Sequence, residues 1–161
     1  MIYKRRMRLP LLILASVLAL SACSGGETAD PVYKSWVDRK AVGGYDLVSF
    51  FSGKPLIGNE NYQTEYRNAT WSFSSRANME LFKTNPEAFM PQYGGYCAWA
   101  MAQGKLAKGS PENWHVRDGR LYFNYNARIQ AQWERDIPGF IRQANENWPR
   151  FANDPSGESN G

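Results

Sequence analysis

Three side chains in this sequence could carry soft-metal or thiol chemistry: Cys97, Met101 and His115. A thiolate and a thioether suit Cu(I), an ion content with two or three sulfur or nitrogen ligands, and an imidazole can complete such a set. Met101 follows Cys97 by four residues, which places both on one face of a helix. The same Cys97 thiolate could instead attack a peroxide or a disulfide. Gly94-Gly95 precede it, and with a helix starting near Tyr96 the sulfur falls in the first turn, where unpaired amides and the helix dipole favour negative charge. Blander readings stand beside these. Cys97, Ala98 and Met101 read equally as core between Tyr96 and Trp99, and a lone histidine is ordinarily a surface or hydrogen-bonded one. Nothing in the sequence brings His115 to the other two.

The rest of the composition excludes much. Two cysteines and one histidine in 161 residues are too few for a four-ligand structural zinc site. The glycine pairs lack the spacing and the Lys-Ser/Thr ending of a phosphate loop, and no serine elbow or paired-acid motif is present. The formal charge of +4 comes from Lys4, Arg5, Arg6 and Arg8, leaving fifteen basic against fifteen acidic side chains in the remainder. A nucleic-acid surface is therefore not expected.

Those four cations precede the apolar run Leu11 to Leu20, and Leu20-Ser21-Ala22-Cys23 follows. The run is too short to span a bilayer and reads as a secretory signal. Its last four residues resemble the lipobox of bacterial lipoproteins, which implies cleavage after Ala22, a diacylglycerol thioether on Cys23 and acylation of the new amine. Several acyl chains make a stable membrane anchor where one would not. Ser24 at the second mature position resembles lipoproteins sorted onward to the outer membrane, facing the periplasm. With Cys23 lipidated, Cys97 is the one remaining thiol in a compartment that favours disulfides, and no internal disulfide can form.

Residues 1–22 are thus a signal, 23–31 a lipidated tether, 32–151 one folded unit and 152–161 a polar tail. Two hairpins stand out in the folded unit. Tyr62 to Phe73 alternates around Arg67-Asn68, and Trp114 to Asn124 turns at Asp118-Gly119, a favoured type I′ pair. Each runs into a helix, with Ser75 and Asn126 as N-caps. Met79, Leu81 and Phe82 mark the apolar side of the first helix. Ile129, Trp133, Ile137, Phe140 and Ile141 mark that of the second, which Pro138 bends.

A shift of 51 residues superposes Gly43-Gly44-Tyr45 on Gly94-Gly95-Tyr96, Gly53-Lys54 on Gly104-Lys105, Gly58 on Gly109 and Phe89 on Phe140. Both turns and both N-caps follow. This reads as an internal duplication, giving an α+β domain of two similar halves, each a Gly-Gly-Tyr helix, a hairpin and a following helix. One pairing conflicts: the shift matches Tyr122 to Trp71, whereas local alternation gives Leu121 and Phe123 to the apolar face. His115, opposite Tyr122, points to the core on the first reading and away from it on the second.

The runs Ala41-Val42-Gly43-Gly44-Tyr45-Asp46, Tyr66 to Ser75, Asn85 to Ala100 and Gly119 to Asn126 resemble the YHS-domain family, in its exported subfamily, over most of the mature chain. The resemblance implies an association with heavy metals. The cysteine pairs that serve as ligands in such units are missing here, where the strand reads Trp71-Ser72-Phe73-Ser74-Ser75. Some exported members are described as selenoproteins, which implies a reactive chalcogen, and Cys97 is the available match. The expectation is an envelope-anchored module binding copper or a small ligand near Cys97. The alternatives are a single-thiol redox protein, or a non-catalytic adaptor.

Overall fold

Each repeat opens on a left-handed turn that few residues tolerate. In the computed structural model, which describes residues 32–34 and 40–152, Val42, Gly43 and Gly44 have φ of 51, 60 and 81°, and Tyr93, Gly94 and Gly95 have 55, 61 and 90°. Glycine enters this region at little cost, whereas Val42, being β-branched, is held there by its surroundings. The turns reverse the chain so that a short helix can start at once: α1, Leu47–Phe51, in the first repeat. The expected signal, the expected lipobox with Cys23 and the tail beyond Ala152 lie outside the described residues, among which no helix is long and apolar enough to cross a membrane.

The first repeat continues through β1 (Asn59–Tyr66), β2 (Ala69–Phe73), α2 (Arg76–Thr84) and a single turn, α3 (Pro86–Phe89). The second has α4 (Ala98–Ala102), β3 (Ser110–Arg117), β4 (Arg120–Asn124), α5 (Ala127–Trp133) and α6 (Ile137–Asn147). The fold is α+β, and from α1/α4 through the start of α2/α5 every boundary repeats at 51 residues. So do the bulges. In the first hairpin the register shifts between Asn59↔Phe73 and Gln63↔Ser72, and in the second between Ser110↔Asn124 and Trp114↔Phe123.

Both hairpin turns form as expected, with positive φ at Arg67 and Asn68 and at Asp118 and Gly119. Ser75 and Asn126 cap their helices by accepting from Asn78 N and Ile129 N. Two expectations need correction. Leu81 is not on the packed side of α2 but 53% exposed, Phe82 alone reaching the core from that pair. Pro138 does not bend one helix. It starts a new one, since Asp136 caps α6 from its own side chain and the missing proline N–H falls where no partner is needed.

Two cores result. The first gathers Leu47, Phe50, Trp71, Phe73 and Phe82 from the first repeat with Leu121 and Phe123 from the second. The second gathers Tyr93, Met101, Tyr122, Trp133 and Ala144. Phe50 joins the repeats, its ring 5.7 Å from Trp114 and 5.3 Å from Phe123. Strand β4 runs between the cores, with Leu121, Tyr122, Phe123 and Asn124 all buried, and this removes the conflict over Tyr122. Alternation holds, and both faces are covered. The contact of Trp71 with Phe82 at 5.6 Å has its counterpart 51 residues on in Tyr122 with Trp133 at 5.5 Å.

Candidate functional site

Cys97 stands immediately before α4 and is its N-cap, not a member of its first turn as the sequence alone implied. The sulfur accepts from Ala100 N at 3.5 Å and donates to Asn124 Oδ1 at 3.7 Å. Burial leaves 1% of the residue exposed. The expected helix-mouth thiolate is reversed by that burial: removal from water pushes the Cys97 thiol up, and the amides of Ala100, Tyr125 and Trp99 offset it only in part.

Asn124 is the buried partner that sequence reasoning missed. Its Oδ1 also accepts from Trp99 N at 3.1 Å, and its Nδ2 donates to Gln130 Oε1 at 2.7 Å. The opening of α4 is therefore capped by two residues, Cys97 at one amide and Asn124 at another. A signal was available. The 51-residue shift sets Asn124 against the fully buried Phe73, and a polar group placed at a core position must have partners.

Met101 is fully buried in the second core. His115 pairs with Tyr122 across the second hairpin and lays its ring 5.2 Å from that of Trp133 at 72°. Met101 belongs to the same core as Trp133, against which His115 packs, while the Cys97 sulfur is turned to Asn124. Among the described residues there is no group of three or more His, Cys, Asp or Glu side chains that could hold a metal ion.

Open space lies elsewhere, against the glycine turns. A cleft of about 360 Å³ is bounded by Val42 and Gly43 of the first repeat and by Gly95, Ser110 and Phe123 of the second. Tyr33 closes one side, held by its N–H to Gly94 O at 2.8 Å and by its ring against Tyr96. Gly109 in the floor has no room for a side chain, because a Cβ there would stand 2.2 Å from Gly95 O. Phe123 joins cleft and thiol: it lines the former and forms a parallel bridge with Cys97.

An α+β domain of two fused repeats, with a sealed thiol and an open cleft between the repeats, is the class that fold and site define. No family model, curated protein or solved structure matches the chain.

Proposed function

We propose that this chain is a non-catalytic binding module of the bacterial envelope, anchored through acylated Cys23, and that its ligand seat is the cleft between the repeats. The observation that carries the reading is the position of that cleft: it lies where two strained turns from different repeats meet, and Val42, Pro111 and Phe123 line it. Concave, largely apolar seats of this size at the junction of two units are where small molecules bind. The sequence resemblance to exported YHS domains supports an envelope role. The buried, protonated sulfur favours the small-ligand branch of the expectation over copper held by Cys97, Met101 and His115.

The test is amide NMR of the full chain in mild detergent while small aromatic and aliphatic probes are added. Shifts should cluster at Val42, Gly43, Gly95 and Ser110 and vanish in Ser110→Trp, with Pro111→Trp as a second blocking variant. Shifts that map elsewhere, or survive both variants, overturn the reading. For the anchor, Cys23→Ser should release the protein from membranes or arrest its maturation, and unchanged fractionation counts against lipidation.

A further inference from the structure

The duplication breaks after the second hairpin-and-helix unit, and the break leaves a surface of the first repeat uncovered. In the second repeat α6 packs along α4. Its residues Ile137, Phe140, Ile141 and Ala144 recur at the spacing of one helix face and belong to the second core or pack against it. Past its last turns, Asn147 Nδ2 donates to the final carbonyls of α4, Met101 O at 3.0 Å and Ala102 O at 3.2 Å, and the Trp148 ring lies 6.3 Å from that of Tyr96. The first repeat has no such helix. Its α3 is a single turn, and the chain passes from it directly to the next glycine turn.

Helix α1 therefore lacks the cover that α4 has. Gly53 and Gly104 follow the two short helices in the same left-handed conformation, with φ of 75 and 69°. A Cβ on Gly104 would stand 2.9 Å from Arg150 Nη2 and 3.7 Å from Asn147 Oδ1, whereas one on Gly53 would meet nothing within 4 Å among the described residues. The uncovered side is apolar. Tyr45 and Phe51, the counterparts of Tyr96 and Ala102, are half-buried, and Leu56 and Ile57 are 50% and 62% exposed. Ile57 is held beside Tyr45 by an antiparallel bridge, and it stands where the second repeat has Lys108. Contiguous apolar surface of this kind marks an interaction site.

We propose that this face seats an amphipathic helix of a partner protein in the way that α4 seats α6. The partner's apolar residues, at i, i+3, i+4 and i+7, lie against Tyr45, Phe51, Leu56 and Ile57, and a donor or cation at its end meets the C-terminal carbonyls of α1. The second repeat displays the charge match that such a seat requires: the negative end of α4 is met by the Asn147 amide, with the Arg150 guanidinium beside Gly104. None of these α1-face residues lines the cleft, so the two surfaces stand or fall separately.

The experiment is photo-crosslinking of the full chain in its own membranes from Ile57→p-benzoylphenylalanine, with the exposed Arg142 of α6 replaced in the same way as control. Mass spectrometry locates the segment joined to position 57, and a synthetic peptide of that segment is titrated onto the detergent-solubilised full chain by fluorescence anisotropy. The segment should carry apolar residues at i, i+3, i+4 and i+7 and should not be captured from position 142. Its peptide should bind at least about tenfold more weakly to Ile57→Lys, the loss expected for one buried isoleucine, and unchanged to Arg142→Glu. Leu56→Ser is the second blocking variant, and both changes lie at exposed positions outside the cores. An adduct confined to lipid, or to a second copy of this chain, overturns the proposal. So do the absence of any adduct, a captured segment without the helical spacing, and peptide binding that survives both variants.

Discussion

Asp46 and Cys97 occupy the same position in the two repeats, 51 residues apart, each the N-cap of the short helix that follows its glycine turn. The backbone N–H of each donates to a matching carbonyl, Leu56 for Asp46 and Ala107 for Cys97, at 2.9 Å. Their side chains divide the work differently. Asp46 accepts from Val48 N and, across the repeat, from Ser74 N, Ser74 Oγ and Asn78 Nδ2. Cys97 caps with a weak acceptor and leaves the amide equivalent to that of Val48 to Asn124.

Asp46→Ala should therefore cost far more than Cys97→Ala. Losing a cap costs about 1 kcal/mol, and each buried donor left alone about 1–3 kcal/mol more, so a destabilisation of about 3 kcal/mol is expected for Asp46→Ala and about 1 kcal/mol for Cys97→Ala. Urea unfolding measures both, and equal losses would contradict the division of roles.

Asn124→Leu should destabilise by about 3 kcal/mol, because it removes from the buried end of β4 the acceptor of Trp99 N and the donor to Gln130 Oε1. Chemical denaturation gives the size. Amide exchange should show the α4 opening, Trp99 above all, losing protection first.

Alkylation of Cys97 should follow unfolding, not solvent access, so iodoacetamide labels it at a rate that tracks opening of the structure. The sign of the pH effect is fixed by the raised thiol. The folded state keeps its proton where the unfolded chain loses it, so this contribution to stability is complete below the ordinary thiol value of 9.0 and falls as pH rises beyond it. Comparing wild type with Cys97→Ala from neutral to alkaline pH isolates that loss from those of the buried tyrosines. Anaerobic Cu(I) titration should give the same uptake for both proteins, and a stoichiometric excess in wild type would restore the metal reading.

Glycine replacements should separate space from backbone. Gly109→Ala places a Cβ 2.2 Å from Gly95 O and 2.7 Å from Phe123 Cβ, and should prevent stable folding or cost several kcal/mol, about 3 or more. Gly119→Ala, with φ of +69° and nothing within 4 Å, should cost only about 1 kcal/mol. Thermal unfolding ranks them.

Much of this fold was legible because the duplication is written in glycines and turn pairs, whose backbone demands are local: Gly43-Gly44, Gly94-Gly95, Arg67-Asn68 and Asp118-Gly119. The N-caps Ser75 and Asn126 were legible for the same reason. What escaped depended on partners distant in sequence. The state of the Cys97 sulfur is set by how deeply it is covered, and Asn124, 27 residues on, takes half of its capping task. Tyr122 resisted assignment because strand alternation assumes one wet face, and β4 has none.

The invariant spacing of the repeats also frees the chain from mirror obligations. A half-length ancestor that paired with itself would have carried the same capping residue twice, and a mutation there would have struck both copies together. Fused head to tail, the two copies carry different caps, a strong carboxylate clasp at Asp46 and a sulfur at Cys97, so that a change in one half leaves the other's cap untouched.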